Sequence, residues 1–533
     1  MTAPNNLRSP VSIMAGIARR LGSAENLPEL LELIVEEAMS LTNADGGSLY
    51  LVKENQLHFE IVRNNTLNID FGGSRSTPIP ESFRPIALSQ SSSHVCVHVI
   101  TSEENANIAD VYCQEAFDFS GTREMDRRTG YRSQSFLTVG LFDHHNHPVG
   151  VLQLINATDP ATNEVIAFTA TQQEMVEGFA GMAAVSINNA SLRDEITNLF
   201  EAFMKLIASA IDEKSPYTGG HCRRVPDLVM DLANCVHKTD TGPFANVFFN
   251  DDDMYELHVA SWLHDIGKIC IPEYVVDKAT KLETIYDRIH EVEMRFEVLK
   301  RDAEIRKYKS ILSGKDEAEA EQLYQEQLNQ LDEDLAFLKV CNVGSEYLAD
   351  EKISRLNAIA QTPITLNGSL QSVLTDDYLN NLSIRAGTLT FDERERIRDH
   401  IKVTIQMLEQ LPFPKHLVRV PEFAGGHHET MIGTGYPKGL FKDDMSVQAR
   451  MMAIADIFEA LTASDRPYKD AKSLSEAMRI MGIFKRKNHI DPDLFDEFIR
   501  SKVYLRYAEE YMEAHLIDEI DEAALLAIHP DNP

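Results

Sequence analysis

The hydrophobic periodicity of the chain changes near residue 169, and this change constrains the fold more than any other feature. Before it, helical spacing from Leu30 to Leu41 is followed by alternating segments typical of strands, SLYLV, LHFEIVRN, SFLTVGLF and VGVLQLINA. After it, apolar residues recur at helical spacing. We therefore predict a multidomain protein, in which an α/β domain with an antiparallel sheet and helices precedes an all-α part.

The length of 533 residues is enough for about two to four domains. We place an N-terminal helix or tail at 1–23, the α/β domain at 24–190, a linker helix at 191–214 and the all-α domain at 215–533. A charge-rich stretch at 285–386 has helical periodicity but no catalytic pattern. It is predicted to be a helical insertion in the second domain.

The predicted linker helix carries a heptad pattern of apolar residues over almost three heptads. The residues at this spacing are Leu192, Ile196, Leu199, Phe203, Leu206 and Ala210. Such a pattern fits a helix that packs on its own domain, and it also fits a parallel coiled coil between two chains. We favour the second interpretation and expect a homodimer through this helix.

The chain is strongly acidic, with 51 Lys and Arg against 83 Asp and Glu and a net charge of −32. This charge repels nucleic acid and anionic membranes, so neither is an expected partner. The six cysteines show no CxxC spacing, which is typical of a reducing compartment. No run approaches the ~18 apolar residues of a membrane span, so a cytoplasmic protein is expected.

Histidine and aspartate occur in contexts that suggest a metal site. A single histidine on an apolar face is more often a satisfied core residue than a ligand. As a set, however, imidazole and carboxylate ligands suit Fe, Mn or Zn, and an adjacent His-Asp pair can serve two ions when the Asp bridges them. The set predicts a two-metal phosphohydrolase centre built from His221, His264, Asp265, His400, His427, His428 and Asp456.

Several segments that contain these residues occur in one order: YTGGHCRRV, LHDIGKICIP, KATKL, HHETMIGTGYPKGL, ARMMAIADIFEALTASDRPYK and IDPDLF. Together they closely resemble the HD-GYP family, a subgroup of HD-domain phosphohydrolases, over about 200–500. The resemblance implies an all-α fold and a non-haem centre with two divalent ions, Fe or Mn. It also implies hydrolysis of cyclic di-GMP to pGpG, GMP or both.

The resemblance assigns roles residue by residue. It makes the seven residues of the predicted centre the metal ligands, with Asp265 bridging the ions, and it places Lys268 on the scissile phosphate. Asp265 and Lys268 are thereby the catalytic residues. The residues implied in substrate binding are Lys268, Gly435, Tyr436, Pro437, Arg466 and Lys469.

The sequence departs from the family pattern at two places near the centre. Ile432 stands in a loop, Met431-Ile432-Gly433, where the family usually has an aspartate, and Tyr217 stands where some members have a glutamate for a third metal. The tyrosine favours a two-metal centre. The altered loop leaves open a non-catalytic receptor for a cyclic dinucleotide, and hydrolysis of another cyclic dinucleotide, such as cyclic GMP-AMP, also stays open.

The N-terminal part resembles a GAF domain of the kind that binds cyclic nucleotides. The resemblance lies in FDFSGTREMDRRTGYRSQSFLTVGLF and VGVLQLINA, with Asp126, Thr129, Gly130 and Tyr131 as motif landmarks. It implies a cyclic nucleotide as the ligand of this domain. We expect that ligand to regulate the hydrolase through the linker helix.

Overall fold

The computed structural model describes residues 10–24, 26–74, 77–89, 93–214, 220–344, 347–463 and 472–531. Within it the chain divides into two compact units, Met1–Phe200 and Glu201–Pro533.

The first unit is built around one antiparallel sheet. Its strands are β1 Ala44–Lys53, β2 Gln56–Asn64, β3 Ile69–Phe71, β4 Ile86–Ala87, β5 Ala106–Ile108, β6 Phe136–Phe142, β7 Pro148–Thr158 and β8 Val165–Ile166. They lie in the order β3-β2-β1-β7-β6-β5, with β4 paired to β2 and β8 paired to β7. The helices are α1 Pro10–Leu21, α2 Leu27–Thr42, α3 Val95–Ser102, α4 Ser120–Thr129 and the start of α5 Ala170–Lys214. The predicted α/β class with an antiparallel sheet is confirmed.

Local sequence explains how this sheet begins. The side chain of Asn26 accepts a hydrogen bond from the Glu29 amide and so caps α2, and Asn43 ends that helix in the left-handed conformation. Glu54 and Asn55 then adopt positive φ angles of 48° and 62° between β1 and β2. Two successive positive φ angles match the twist of a two-residue hairpin, which explains the tight return of the chain.

The second unit is largely helical. Its helices are α6 His221–Lys238, α7 Asp251–Leu263, α8 Glu273–Val276, α9 Ile289–Leu312, α10 Glu317–Val343, α11 Asp350–Ala360, α12 Asp376–Leu382, α13 Phe391–Glu409, α14 Val420–Gly425, α15 Val447–Thr462, α16 Leu474–Arg486, α17 Pro492–Arg500, α18 Val503–Tyr511 and α19 Glu522–Leu526. A 3₁₀ helix, Ile266–Cys270, follows α7. None of the helices in the described ranges combines the length and low polarity needed to cross a bilayer.

The segment predicted as a helical insertion, 285–386, is not entirely helical. It has its own apolar cluster, in which Val292 and Phe296 of α9 pack with Leu338 of α10. It also contains a short hairpin, β9 Pro363–Leu366 and β10 Ser369–Ser372, which the all-α prediction did not include. The hairpin forms because Asn367 and Gly368 both take positive φ angles, the signature of a tight two-residue turn.

The helix α5 runs without interruption over 45 residues, so the predicted linker 191–214 is its C-terminal part. The apolar residues of the predicted heptad, apart from Ala210, are between 45% and 66% exposed: Leu192, Ile196, Leu199, Phe203 and Leu206. On another side of the same helix, Met204, Ala208 and Ile211 are buried. The heptad face is therefore a separate apolar stripe from the face that packs in the second unit.

Candidate metal centre

The structure brings the seven predicted ligands together in two groups within the second unit. One group is formed by His400, His427 and His428, and the other by His221, His264, Asp265 and Asp456. Within each group the candidate ligand atoms lie within 4.8 Å of one another. The two groups are therefore a candidate metal centre that combines imidazole and carboxylate donors.

Hydrogen bonds orient the imidazole rings. The Nδ1 atoms of His264 and His427 lie 2.7 Å and 2.6 Å from the carbonyl oxygens of Ser261 and Ala424, and His400 Nδ1 bonds the carbonyl of Ile397 in the same way. A carbonyl oxygen can only accept, so each Nδ1 donates and carries the proton. In the neutral imidazole, Nε2 then carries the lone pair that a metal ligand requires.

The buried atoms that face the centre lack protein partners. Within the described ranges, Asp265 Oδ1, His400 Nε2 and His427 Nε2 are buried without a hydrogen bond. Asp265 Oδ1 and His400 Nε2 lie 3.2 Å apart although both are acceptors, because the His400 proton is on Nδ1. Buried acceptors without a partner are costly, and a cation between them satisfies both. The residues therefore fit a metal ion.

The electrostatics of the centre favour ionised carboxylates at Asp265 and Asp456 and a neutral imidazole at His428. Burial raises the pKa of Asp265, but the Lys268 ammonium and His264 outweigh it and hold that pKa well below its usual range. Burial also raises the pKa of Asp456, but the hydrogen bond and charge of His221 outweigh this effect and hold that pKa below its usual range. Burial lowers the pKa of His428 to about 4. Ionised carboxylates and neutral imidazoles at neutral pH are the forms that ligate divalent ions.

Lys268 lies at the edge of the centre. Its Nζ atom is 2.5 Å from Asp265 Oδ2, and its side chain is 23% exposed. Burial lowers its pKa, but Asp265 and Asp456 more than compensate and raise it. Lys268 is therefore a cation that can reach both the centre and a ligand arriving from solvent.

The absence of a side chain at Gly267 allows the 3₁₀ helix to approach α13 closely. A Cβ atom there would lie 2.0 Å from the carbonyl oxygen of His400 and 2.7 Å from the amide nitrogen of Thr404. The Gly267 amide also donates to Thr404 Oγ1 at 3.0 Å. This approach places Asp265, two residues earlier, against His400.

Glu459 is a buried part of the site that the sequence analysis missed. Its Oε2 atom is hydrogen-bonded to Nδ1 of His221, and its Oε1 atom accepts from Arg224 Nε at 2.7 Å. A carboxylate on the far nitrogen of an imidazole fixes the orientation of the ring and raises its basicity. The signal was present in the sequence, because Glu459 lies three residues after Asp456 on α15 and so shares its face.

Glu429 was also missed, and it organises the loop that contains Gly435, Tyr436 and Pro437. Its Oε1 accepts from the amides of Lys438 and Gly439 at 2.7 Å and 3.2 Å, and its Oε2 accepts from the Leu440 amide at 2.9 Å. The signal for it was its position directly after the histidine pair.

The predicted substrate-binding triplet packs against the metal centre. The ring of Tyr436 stacks on His428, with ring centroids 4.9 Å apart and an angle of 23° between the planes. Gly435 permits this packing, since a Cβ atom there would lie 2.4 Å from Cα of Glu429. The guanidinium carbon of Arg398 lies 5.3 Å from the centroid of the Tyr436 ring.

The remaining residues named from the family resemblance are two implied substrate contacts and the two departures from the family pattern. Arg466, Lys469 and Tyr217 lie outside the described residues. Ile432, at the position of the family's aspartate, forms an isolated β-bridge with Phe441. This departure from the family pattern therefore lies beside segment 438–440, whose amides donate to Glu429.

The GAF landmarks make contacts inside the first unit. The buried carboxylate of Asp126 accepts from the Tyr112 hydroxyl and from the amide and hydroxyl of Ser133, at 2.7 Å to 2.8 Å. The Tyr131 hydroxyl donates to Asp45 at 2.6 Å. Thr129 ends α4, and Gly130 follows with a φ of 73°. These contacts fix the connection from α4 to β6.

Comparison with known families agrees with this division. The GAF domain model matches residues 26–187, and the HD domain model matches residues 375–494. The chain therefore contains a GAF domain followed by an HD domain, and it is related to HD-domain phosphodiesterases. The resemblance found in its sequence is confirmed at this level.

The named relatives are similar to this chain over its HD part. A cyclic di-GMP phosphodiesterase of Pseudomonas aeruginosa is 37% identical over 117 residues, which are 22% of this chain and 27% of that protein. One from Thermotoga maritima is 31% identical over 136 residues, 25% of this chain and 36% of that protein. A 3′3′-cGAMP-specific phosphodiesterase of Vibrio cholerae is 38% identical over 118 residues, 22% of this chain and 24% of that protein. The chain thus matches little more than a third of these relatives' length, at most.

Proposed function

We propose that the protein is a metal-dependent phosphodiesterase that hydrolyses cyclic di-GMP to pGpG, GMP or both, under the control of its GAF domain. The observation that carries this proposal is the set of inward-facing lone pairs: His400 Nε2, His427 Nε2 and Asp265 Oδ1 are buried and have no protein partner. Two divalent ions, Fe or Mn, are the proposed occupants, because mixed imidazole and carboxylate donors suit them.

The roles of the residues follow from their positions. Two bound ions would supply polarisation of a phosphodiester and activation of water near neutral pH. Asp265 contacts residues of both ligand groups and would help to hold the metal. Lys268 is proposed to donate to a non-bridging phosphate oxygen, where one such donor is worth about 100- to 1000-fold in rate. Glu459 is proposed to orient His221 through its hydrogen bond to Nδ1.

The substrate is proposed to lie along the loop 435–437, with Arg466 and Lys469 as further contacts. The ring of Tyr436 already stacks on His428, so the tyrosine is proposed to shape the edge of the substrate site from this position. Hydrolysis of cyclic GMP-AMP is the second candidate, because relatives of comparable identity carry the name 3′3′-cGAMP-specific phosphodiesterase.

Turnover of a substrate panel tests the proposal. Protein loaded with Mn²⁺ or with Fe²⁺ under anaerobic conditions is incubated with cyclic di-GMP, cyclic GMP-AMP and cyclic di-AMP, and products are separated by chromatography. We expect the highest kcat/KM with cyclic di-GMP and the appearance of pGpG or GMP. Preference for cyclic GMP-AMP would select the second candidate. Tight binding of cyclic di-GMP without turnover by either metal form would instead identify a receptor.

We also propose the domain limits 24–190 for the GAF domain, 191–214 for the linker and 215–533 for the HD-GYP domain, with 285–386 as an insertion in the last.

The apolar stripe of α5 is proposed to form a parallel homodimer. Contiguous exposed apolar surface is unusual in a monomer. Asn189, also exposed, lies seven residues before Ile196 and so occupies the same heptad position. A single asparagine at this position favours two parallel strands in register.

The introduction of charge on the apolar stripe tests the dimer. Two glutamates introduced as Ile196→Glu and Leu199→Glu place like charges in the proposed seam, where each apolar side chain would otherwise contribute about 1.5–3 kcal/mol on full burial. We expect a monomer by analytical ultracentrifugation, while Asp194→Ala on the exposed flank keeps the mass of the wild-type protein. A dimer that survives the double substitution would contradict the proposed interface.

A further inference from the structure

The N-terminus of α6 is capped from outside its own helix. The helix begins at His221, and its N-cap, Gly220, has a φ of 80° and offers no side chain. The first amides of a helix have no intrahelical acceptor. Asp212, in the last turn of α5, supplies two: its Oδ2 accepts from the Gly220 amide at 3.1 Å and its Oδ1 from the Cys222 amide at 3.4 Å. His221 is thereby held between two bonded amides.

The C-terminal end of the 3₁₀ helix Ile266–Cys270 is capped by the same turn of α5. Lys214 Nζ donates to the carbonyl oxygens of Lys268, Ile269 and Ile271, at 3.3 Å, 2.5 Å and 2.6 Å. An ammonium group has three donors, so these bonds use its full capacity. A cation at a helix C-terminus also interacts favourably with the carbonyl dipoles. The backbone of Lys268 is fixed by this contact.

The two capped residues meet in the metal centre. His221 Nε2 lies 3.2 Å from Asp265 Oδ2, and the same oxygen lies 2.5 Å from Lys268 Nζ. Asp212 and Lys214 are only two residues apart on α5. One helical turn therefore holds two sides of the centre at once, although it contributes no ligand to it.

We propose that Asp212 and Lys214 are positioning residues that set the metal affinity and the turnover of the centre. The inference rests on the proposed metal-dependent activity and assigns its point of regulation. Because an α-helix transmits displacement along its axis, a movement of α5 acts on both caps together. Shifts of about 1–2 Å are typical of regulatory helix movements, and they exceed what a hydrogen bond tolerates.

This position suits control by the GAF domain. The helix that ends in Lys214 begins at Ala170, in the first unit. A ligand of the GAF domain can change activity only through different affinities for two arrangements of the protein. Two arrangements of the last turn of α5, with the caps made or broken, would provide that difference.

The test uses matched substitutions in this one turn of the full-length protein. Lys214→Met removes the donors but keeps the length of the side chain, and Lys214→Arg restores donors. Asp212→Ala removes both acceptors, and Asp212→Asn keeps one of them. Glu213→Gln, at an exposed residue between the two, is the control. The measurements are Mn²⁺ affinity by calorimetry, hydrogen exchange of segments 220–224 and 264–272, and hydrolysis of bis(p-nitrophenyl) phosphate.

We expect Lys214→Met to speed exchange in 264–272 and Asp212→Ala to speed it in 220–224, with exchange in α9 and α10 unchanged. Each should weaken Mn²⁺ binding or slow the artificial diester by about 10- to 100-fold, as substitutions behind metal ligands typically do. Lys214→Arg should recover most of the loss, Asp212→Asn should fall between the wild-type and Asp212→Ala proteins, and Glu213→Gln should match the wild-type protein.

Wild-type Mn²⁺ affinity and exchange in Lys214→Met and Asp212→Ala would overturn the inference. So would a loss that Lys214→Arg fails to restore, or faster exchange across the whole second unit, because either outcome indicates a general structural role. Failure of the proposed function has a different signature. In that case the wild-type protein turns over no cyclic dinucleotide, while Mn²⁺ affinity and hydrogen exchange still report on the two caps.

Discussion

The Asp265→Asn protein is expected to lose its metal ions and its turnover together. Asp265 contacts both ligand groups, since its Oδ1 lies 3.2 Å from His400 Nε2 and its Oδ2 lies 3.1 Å from His264 Nε2. The amide has the same shape but no charge, and its NH₂ group cannot ligate a cation. A loss of about 4 kcal/mol, within the several kcal/mol that a metal centre supplies, corresponds to about a thousandfold in rate.

Metal content by mass spectrometry and kcat/KM for cyclic di-GMP measure this effect. The matched control is Asp240→Asn, at an exposed residue of the same unit, which should leave both quantities unchanged. Far-UV circular dichroism shows whether the helices persist. Wild-type turnover by the Asp265→Asn protein, or turnover without bound metal, would reject the proposed centre.

The Gly267→Ala protein is expected to lose about 100-fold in kcat/KM, although the substitution adds a single methyl group. The new Cβ atom would lie 2.0 Å from the His400 carbonyl oxygen, which belongs to the backbone of α13 and cannot rotate away. The 3₁₀ helix must therefore shift by the order of 1 Å, and a misplacement of this size costs about 100-fold at an active site. The overpacking itself costs about 1–3 kcal/mol of stability.

Kinetics and thermal unfolding separate these two effects. Gly121→Ala is the control, because a Cβ atom there would have no neighbour within 4 Å. We expect a lower melting temperature together with lower metal affinity for Gly267→Ala, and neither for Gly121→Ala. Full activity in the Gly267→Ala protein would mean that the close approach to α13 is not needed for the centre.

The seven ligand candidates could be predicted from the sequence because each stands in a distinctive local segment, and the segments occur in one order. Glu429 and Glu459 could not be assigned roles in the same way. A carboxylate that serves backbone amides or a neighbouring ring is defined by what folds against it. Sequence spacing shows only that such a residue can lie near a ligand, as Glu459 lies one turn after Asp456 on the same helix.

The fold was predictable where periodicity is strong and less so where two signals overlap. The paired strands of the first unit alternate clearly, whereas β10 is exposed along its length and lacks a buried face. The Asn367-Gly368 turn was the better signal there. In α5 the heptad stripe coexists with buried small residues such as Ala183 and Ala184, so the sequence did not reveal one continuous helix.

The stacking of Tyr436 on His428 connects the proposed substrate-binding loop with the metal centre. His428 belongs to the ligand group of His400 and His427, and the Lys438 amide, just beyond Tyr436, donates to Glu429. A molecule that displaces Tyr436 must therefore disturb the imidazole beneath it. In a protein loaded with a paramagnetic ion, binding of a ligand at the loop would therefore change the spectrum of the ion before any bond of the ligand is broken. The metal centre would then serve as a spectroscopic probe of ligand binding.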